Sequence, residues 1–195
     1  VRQIASYTHD MNVLLEDFLD QEEELQFIKF DEDDAWSLGS LFVERARSEG
    51  LAVSIDISTK DKTLFHYSFP GTNPDNDHWI ERKKKLVNRF GHSSFYFAQK
   101  LKADGTTIEA RYLVSEADYA PHGGCFPLIV RNVGIIGTIT VSGLAQEDDH
   151  AFAVRERDAQ RAARVDAASD AVLGGFAAQH AHLAAAQHIV LRIGV

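Results

Sequence analysis

Apolar positions along the chain repeat with two periods, and the changes of period mark out the elements. Residues 11–24, MNVLLEDFLDQEEE, space Val13, Leu14, Asp17, Phe18 and Gln21 as an amphipathic helix does, and LQFIKF at 25–30 alternates as a short strand does. DEDDAWSLGSLFVERARSEG predicts a helix whose leading acids suit its positive end and which Gly50 stops. The alternating runs LAVSIDIS at 51–58 and TLFHYSF at 63–69 predict a hairpin across TKDK. Helical spacing then returns in PGTNPDNDHWIERKKKLVNRFG. There Asn73 predicts a cap, Pro74 a first helical position, Trp79, Ile80, Leu86, Val87 and Phe90 an apolar stripe, and Gly91 a stop. A second helix opens near His92 or Ser93, and 104–118 reads as irregular. Strands at 126–130 and 134–141 predict a second hairpin turning at Arg131-Asn132, with a final helix after it.

Hairpins imply antiparallel pairing, so this order predicts an α+β domain with helices packed on an antiparallel sheet. Composition shifts near residue 151: from there to 195 stand 14 alanines and no lysine. That stretch predicts a terminal helix and then an appendage outside the core. The single methionine is Met11. Residues 1–11 are therefore expected to be an N-terminal extension, 12–152 the domain, and 153–195 an atypical Ala-rich helix and tail.

With 195 residues, 45% hydrophobic and 25% charged, the chain has the make-up of a globular domain with its own core. A formal charge of −9 argues against nucleic acid and against an anionic membrane surface, which both need basic partners. One cysteine, Cys125, excludes an internal disulfide and a cysteine-built zinc site. No run approaches ~18 apolar residues and no basic-then-apolar leader opens the sequence, which predicts no membrane partner and a cytoplasmic location.

A turn at Arg131-Asn132 places Val130 near Gly134, Phe126 near Thr138 or Ile139, and Gly123-Gly124 near Val141 or Ser142. His122 then neighbours the segment from Ser142 to His150, although the two histidines are 28 positions apart. This convergence nominates His122, Gly123, Gly124, Ser142 and Gly143 as ligand-binding candidates, the glycines because bare backbone admits close approach. Imidazole and carboxylate also suit divalent metals, which makes His122, Asp149 and His150 a weaker metal set. Capping at a helix start explains the acids of QEDDH more simply. In FGHSSF, a glycine stop and a new helix start free N–H groups for an anion beside His92, Ser93 and Ser94. Local capping explains those serines equally well. In ERKKK, Arg82 and Lys83 can receive a ligand's carboxylates, though such a run more often faces solvent. Cys125 reads as a small buried hydrophobe and His66 as an ordinary strand residue. Nucleophile-elbow, P-loop and dinucleotide fingerprints do not occur.

DAWSLGSLFVERA, VSIDI, LFHYSFPGTNPDNDHWIERKKKLVNRFGHSSFYF and YAPHGGCFPLIVRNVGIIGTITVSGLAQEDDH together resemble the haem-degrading domain family, the GlcG-like proteins. The match is nearest to the short single-domain branch called uncharacterised protein family 0303, and it spans about residues 12–152. The resemblance implies an antiparallel sheet with helices on both faces, profilin-like in outline, assembled into symmetric homo-oligomers. It also implies haem as the ligand of some relatives. The branch motifs match at Asn76, Trp79, Arg82, Lys83, Arg89, His92, Ser93, Ser94, His122, Gly123, Gly124, Ser142, Gly143, Asp149 and His150, with no catalytic role implied at any of them. A regular amphipathic helix is implied soon after the DDH. Here an Ala/Arg/His-rich tail stands in its place, expected to reflect a shifted reading frame or a fused extension.

These readings meet in an oligomeric small-ligand-binding protein whose ligand is haem or another anionic planar molecule. Histidines supply axial ligands, His92 and His122 first, while helix starts and basic residues meet carboxylates. The alternative is a non-enzymatic interaction protein whose polar motifs fix turns and subunit contacts. A metal-assisted hydrolase or lyase is a third and weaker reading. No reaction is assigned.

Overall fold

The computed structural model describes residues 15–162. Its elements are α1 (15–24), α2 (Glu32–Glu49), β1 (Ser54–Thr59), β2 (Thr63–Ser68), α3 (Pro74–Phe90), α4 (Ser94–Ala103), α5 (Ile108–Tyr112), β3 (Cys125–Val130), β4 (Gly134–Ser142) and α6, which opens at 146. The expected N-terminal extension and the end of the Ala-rich tail lie outside the described residues.

Side chains at the element ends account for where the helices begin. Asp31 and Asp34 form a capping box on α2, and Asn73 and Asn76 form another on α3 with Pro74 in its first turn. Ser93 caps α4 by accepting from the Tyr96 N–H at 3.2 Å. Two expectations need correction. The stretch read as irregular holds α5, capped by Thr107, because five residues are too few to display a period. LQFIKF is not a strand: only residue 27 bridges to β3, since the chain turns at once into the Asp31 cap.

The sheet runs β2-β1-β4-β3, antiparallel throughout. The second hairpin has the expected register, with Phe126 opposite Ile139 and Val130 opposite Gly134. Helices cover both faces. On one, Leu38 and Phe42 of α2 and Phe152 of α6 bury Ile55, Ile57, Ile139 and Val141. On the other, Leu86, Val87, Phe97, Leu101 and Ile108 of α3 to α5 pack with Cys125. Each such Leu, Ile or Phe contributes roughly 1.5–3 kcal/mol by leaving water.

The second face carries what positions the site. Alternation in SIDIS and TITVS ordinarily marks strands with one wet face. Here Ser54, Asp56, Ser58, Thr138, Thr140 and Ser142 are all buried, and α3 lies over them with lysines turned inward. Lys84 Nζ reaches Asp56 at 3.1 Å and the Ser58 hydroxyl at 3.1 Å. The ERKKK run therefore straddles two environments, with Lys83 and Lys84 inside and Glu81 and Lys85 outside. Among the described residues no helix is long and apolar enough to cross a membrane.

Candidate functional site

Asn76, Trp79 and Lys83 stand at i, i+3 and i+7 on α3 and so share one face of it, which lies over the end of β4. Lys83, only 3% exposed, donates to Asp149 Oδ2 at 2.9 Å and to the Val141 carbonyl at 3.0 Å. The other Asp149 oxygen accepts from the Leu144 N–H at 3.0 Å, so this acid also fastens the turn before α6. Burial holds the Asp149 carboxyl above its ordinary range, against the pull of Lys83 and of those hydrogen bonds. Gly124 makes the close approach feasible. Its φ is +111°, and a Cβ there would stand 2.8 Å from both Lys83 Nζ and Asp149 Cβ. Gly143 (φ +154°) serves likewise, since a Cβ would run into the Ala52 carbonyl oxygen.

His122 completes the wall. Val141 donates to the Gly124 carbonyl at 2.7 Å, which brings the segment before β3 beside the end of β4. The imidazole packs edge-on to Trp79 with centroids 5.0 Å apart. Its Nδ1 is buried with no hydrogen-bond partner. Desolvation lowers the His122 pKa, Glu116 opposes that and Lys83 and Arg82 add to it, so the ring is neutral at pH 7. Arg82 lies 4.3 Å over the Trp79 ring and donates to the Glu116 carbonyl at 3.2 and 2.7 Å. Trp79 Nε1 donates to Asp75 at 3.1 Å, and Asn76 Nδ2 to the Ser142 carbonyl at 3.3 Å. The open cleft between them measures about 350 Å³ and is lined by Asn73, Asp75, Asn76, Trp79, Lys83, His122, Ser142, Gly143, Leu144, Gln146 and Asp149.

The nominated residues divide cleanly. His122, Lys83, Ser142 and Gly143 line the cleft, Gly124 lies beneath Lys83, and Gly123 packs on the Gln146 carbonyl behind it. Arg82 stands beside it on Trp79. His92, Ser93 and Ser94 are elsewhere, committed to the fold. Glu22 of α1 takes His92 Nδ1 at 2.8 Å and the Ser93 N–H at 2.7 Å, while the Ser94 hydroxyl bridges the Cys125 backbone at 3.0 and 3.3 Å. The weaker metal set does not converge. His150 turns away from the cleft into a pocket of Phe18, Phe95 and Phe126, with Nε2 3.1 Å from Gln21, and Asp149 is spent on Lys83. Among the described residues no group of three His, Cys, Asp or Glu is placed to hold a metal. Cys125 is fully buried and its thiol is pushed up to about 12, which suits a packing role.

Asn73, Asp75, Asn76, Trp79, Leu144 and Gln146 were not nominated. The i, i+3, i+7 spacing of Asn76, Trp79 and Lys83 was the signal that could have found part of this wall.

Residues 30–158 match the family described as haem-degrading protein HbpS-like. The chain belongs to that family. A UPF0303 protein of Streptomyces coelicolor is 47% identical over 135 residues, covering 69% of this chain and 85% of the relative. Among solved structures, the Ybr137w protein is 37% identical with a TM-score of 0.70, covering 74% of this chain and 86% of its own. The PduOC–haem complex, 17% identical with a TM-score of 0.56, covers 68% of this chain and 95% of its own and shares the fold. Within the HbpS-like region lie every cleft residue, α3 and the start of α6.

Proposed function

We propose that this HbpS-like protein binds a small planar, anionic ligand in the α3–β4–α6 cleft, with haem as the first candidate. The carrying observation is the pairing of His122, neutral and with Nδ1 unpartnered, with buried Lys83 in one cleft. A neutral imidazole is a ligand that haem iron accepts, so His122 would hold the group through a ring nitrogen. Lys83 has three N–H donors and spends two, on Asp149 and Val141, which leaves one for a ligand carboxylate. At about 350 Å³ the cleft is near the small end of ligand sites, roughly 300–1,000 Å³, and so suits the edge of a porphyrin or a smaller planar carboxylate entire. Family membership and the haem in the PduOC complex add support. Haem, when bound, supplies the redox chemistry of its iron; the chain's own residues bind and orient it, and no reaction is assigned to them.

Haemin titration followed at the Soret band tests this with wild type, His122→Ala and His92→Ala. A saturable, stoichiometric shift in wild type and His92→Ala, weakened at least about tenfold in His122→Ala, is expected. A weak, unsaturable shift equal in all three would sink it. The second reading, a non-enzymatic protein that assembles with itself, is favoured by the exposed Trp36 beside the outer strand β2.

A further inference from the structure

The sheet has two outer strands, β2 and β3, and they are treated differently. Residue 27 covers β3 through two backbone bonds, Phe27 N–H to the Ile129 carbonyl and Arg131 N–H to the Phe27 carbonyl, both 2.8 Å. β2 pairs with β1 on one side and has no outer partner among the described residues. Edge strands that stay single commonly carry lysine, proline or an inward charge that forbids pairing. β2 reads TLFHYS and carries neither lysine nor proline; its one irregularity is the register shift at Leu64, which leaves Phe65 to Ser68 regularly paired.

Beside that edge, α2 and β2 frame a groove of about 530 Å³ walled by Trp36, Val43, Leu64, Phe65 and Tyr67. Trp36 is 68% exposed, although its ring reaches Phe65 at 6.1 Å. Glu44 and Arg47, one helical turn apart on α2, stand exposed at the groove and form no ion pair among the described residues. An apolar groove with one free charge of each sign on its rim is self-complementary.

We infer that the β2 edge and the Trp36 groove form a contact between two copies of this chain, joining two four-stranded sheets into one. Antiparallel pairing of β2 with itself requires a two-fold axis perpendicular to the sheet. That axis keeps both α2 helices on the same side of the joined sheet. The two grooves then meet at the seam, each Trp36 is covered, and Glu44 of each copy is set toward the partner's Arg47. This deepens the assembly reading above, and it leaves the ligand cleft free because the cleft lies under α3 on the opposite sheet face.

Sedimentation velocity of the full chain tests it, with Trp36→Glu, Arg47→Glu and the swap Glu44→Arg/Arg47→Glu. Trp36 is exposed, so its variant is expected to keep the wild-type circular dichroism. Trp36→Glu should halve the particle mass. Arg47→Glu should raise the dissociation constant of the contact on the order of tenfold, and the swap should restore it. A Trp36→Glu particle of wild-type mass, or a swap no better than Arg47→Glu, overturns this face while assembly through another survives. A monomeric wild type overturns both, and if its β2 amides still resist hydrogen exchange, a segment of the same chain covers the edge.

Discussion

Replacing Lys83 by methionine keeps the buried stem and removes the charge. Asp149 would keep its bond from the Leu144 N–H at 3.0 Å and lose the ammonium at 2.9 Å. Breaking a buried pair from one side costs roughly 3–5 kcal/mol. The stranded carboxyl can limit that loss by taking a proton. From its ordinary value of 3.8, protonation costs about 4 kcal/mol at pH 7 and about 2 kcal/mol at pH 5, at 1.36 kcal/mol per unit. Burial already raises the Asp149 pKa and Lys83 is the main force opposing that, so the variant's carboxyl lies higher still. A raised carboxyl binds its proton more tightly in the folded state. Its favourable contribution is full below 3.8 and is lost as pH rises through the folded-state value. Lys83→Met should therefore lose about 3–4 kcal/mol at pH 7 and no more than about 2 kcal/mol at pH 5. Urea unfolding at the two pH values reads this directly. Adding Asp149→Asn should recover part of the pH 7 loss, by more than additivity allows. A cost under about 1 kcal/mol at both pH values would refute the pairing as the support of the cleft.

Burial among three phenylalanines pushes His150 down to about 4, so the stability of its neutral ring is present above 6.5 and lost as pH falls toward 4. His150→Phe should flatten the acid decline between those values by up to about 3 kcal/mol, and thermal unfolding with an unchanged decline would contradict it. His92 behaves oppositely: its bond to Glu22 raises it against the effect of burial, so the link is strongest below 6.5 and fades as pH rises through the raised value. Glu22→Gln should consequently lower the melting temperature more at pH 6 than at pH 8, and an equal loss would show that His92 does not titrate against Glu22. Gly124→Ala forces a side chain into a left-handed position 2.8 Å from Lys83 Nζ. It should lose about 1–3 kcal/mol and the haemin response together, and wild-type melting would show that the approach is not tight.

The second hairpin, the Asn73 cap with Pro74 behind it and the meeting of His122 with the end of β4 were legible because each rests on local rules: alternation, cap residues and register about one turn. The partition of the candidates was not. His92–Ser94 and His122–Gly124 look alike in sequence, each a histidine and two small residues beside a glycine. What separates them is Glu22, some 70 residues away, which occupies His92 and the Ser93 N–H. His150 follows Asp149 directly, yet the helical turn between successive residues sends one to Lys83 and the other into the phenylalanine pocket. The inward lysines of ERKKK were hidden for a similar reason. Their partners, Asp56, Ser58 and Asp149, are on β1 and α6 and read on their own as wet-face polar residues and a helix cap.

Hydrogen exchange with and without saturating haemin, resolved by peptide, tests most directly that the ligand enters the α3–β4–α6 cleft. A ligand bound there should slow exchange in 73–83, 120–124 and 142–149 and leave 92–97 unchanged. Protection confined to 92–97, or spread evenly over the chain, would contradict the cleft as the site.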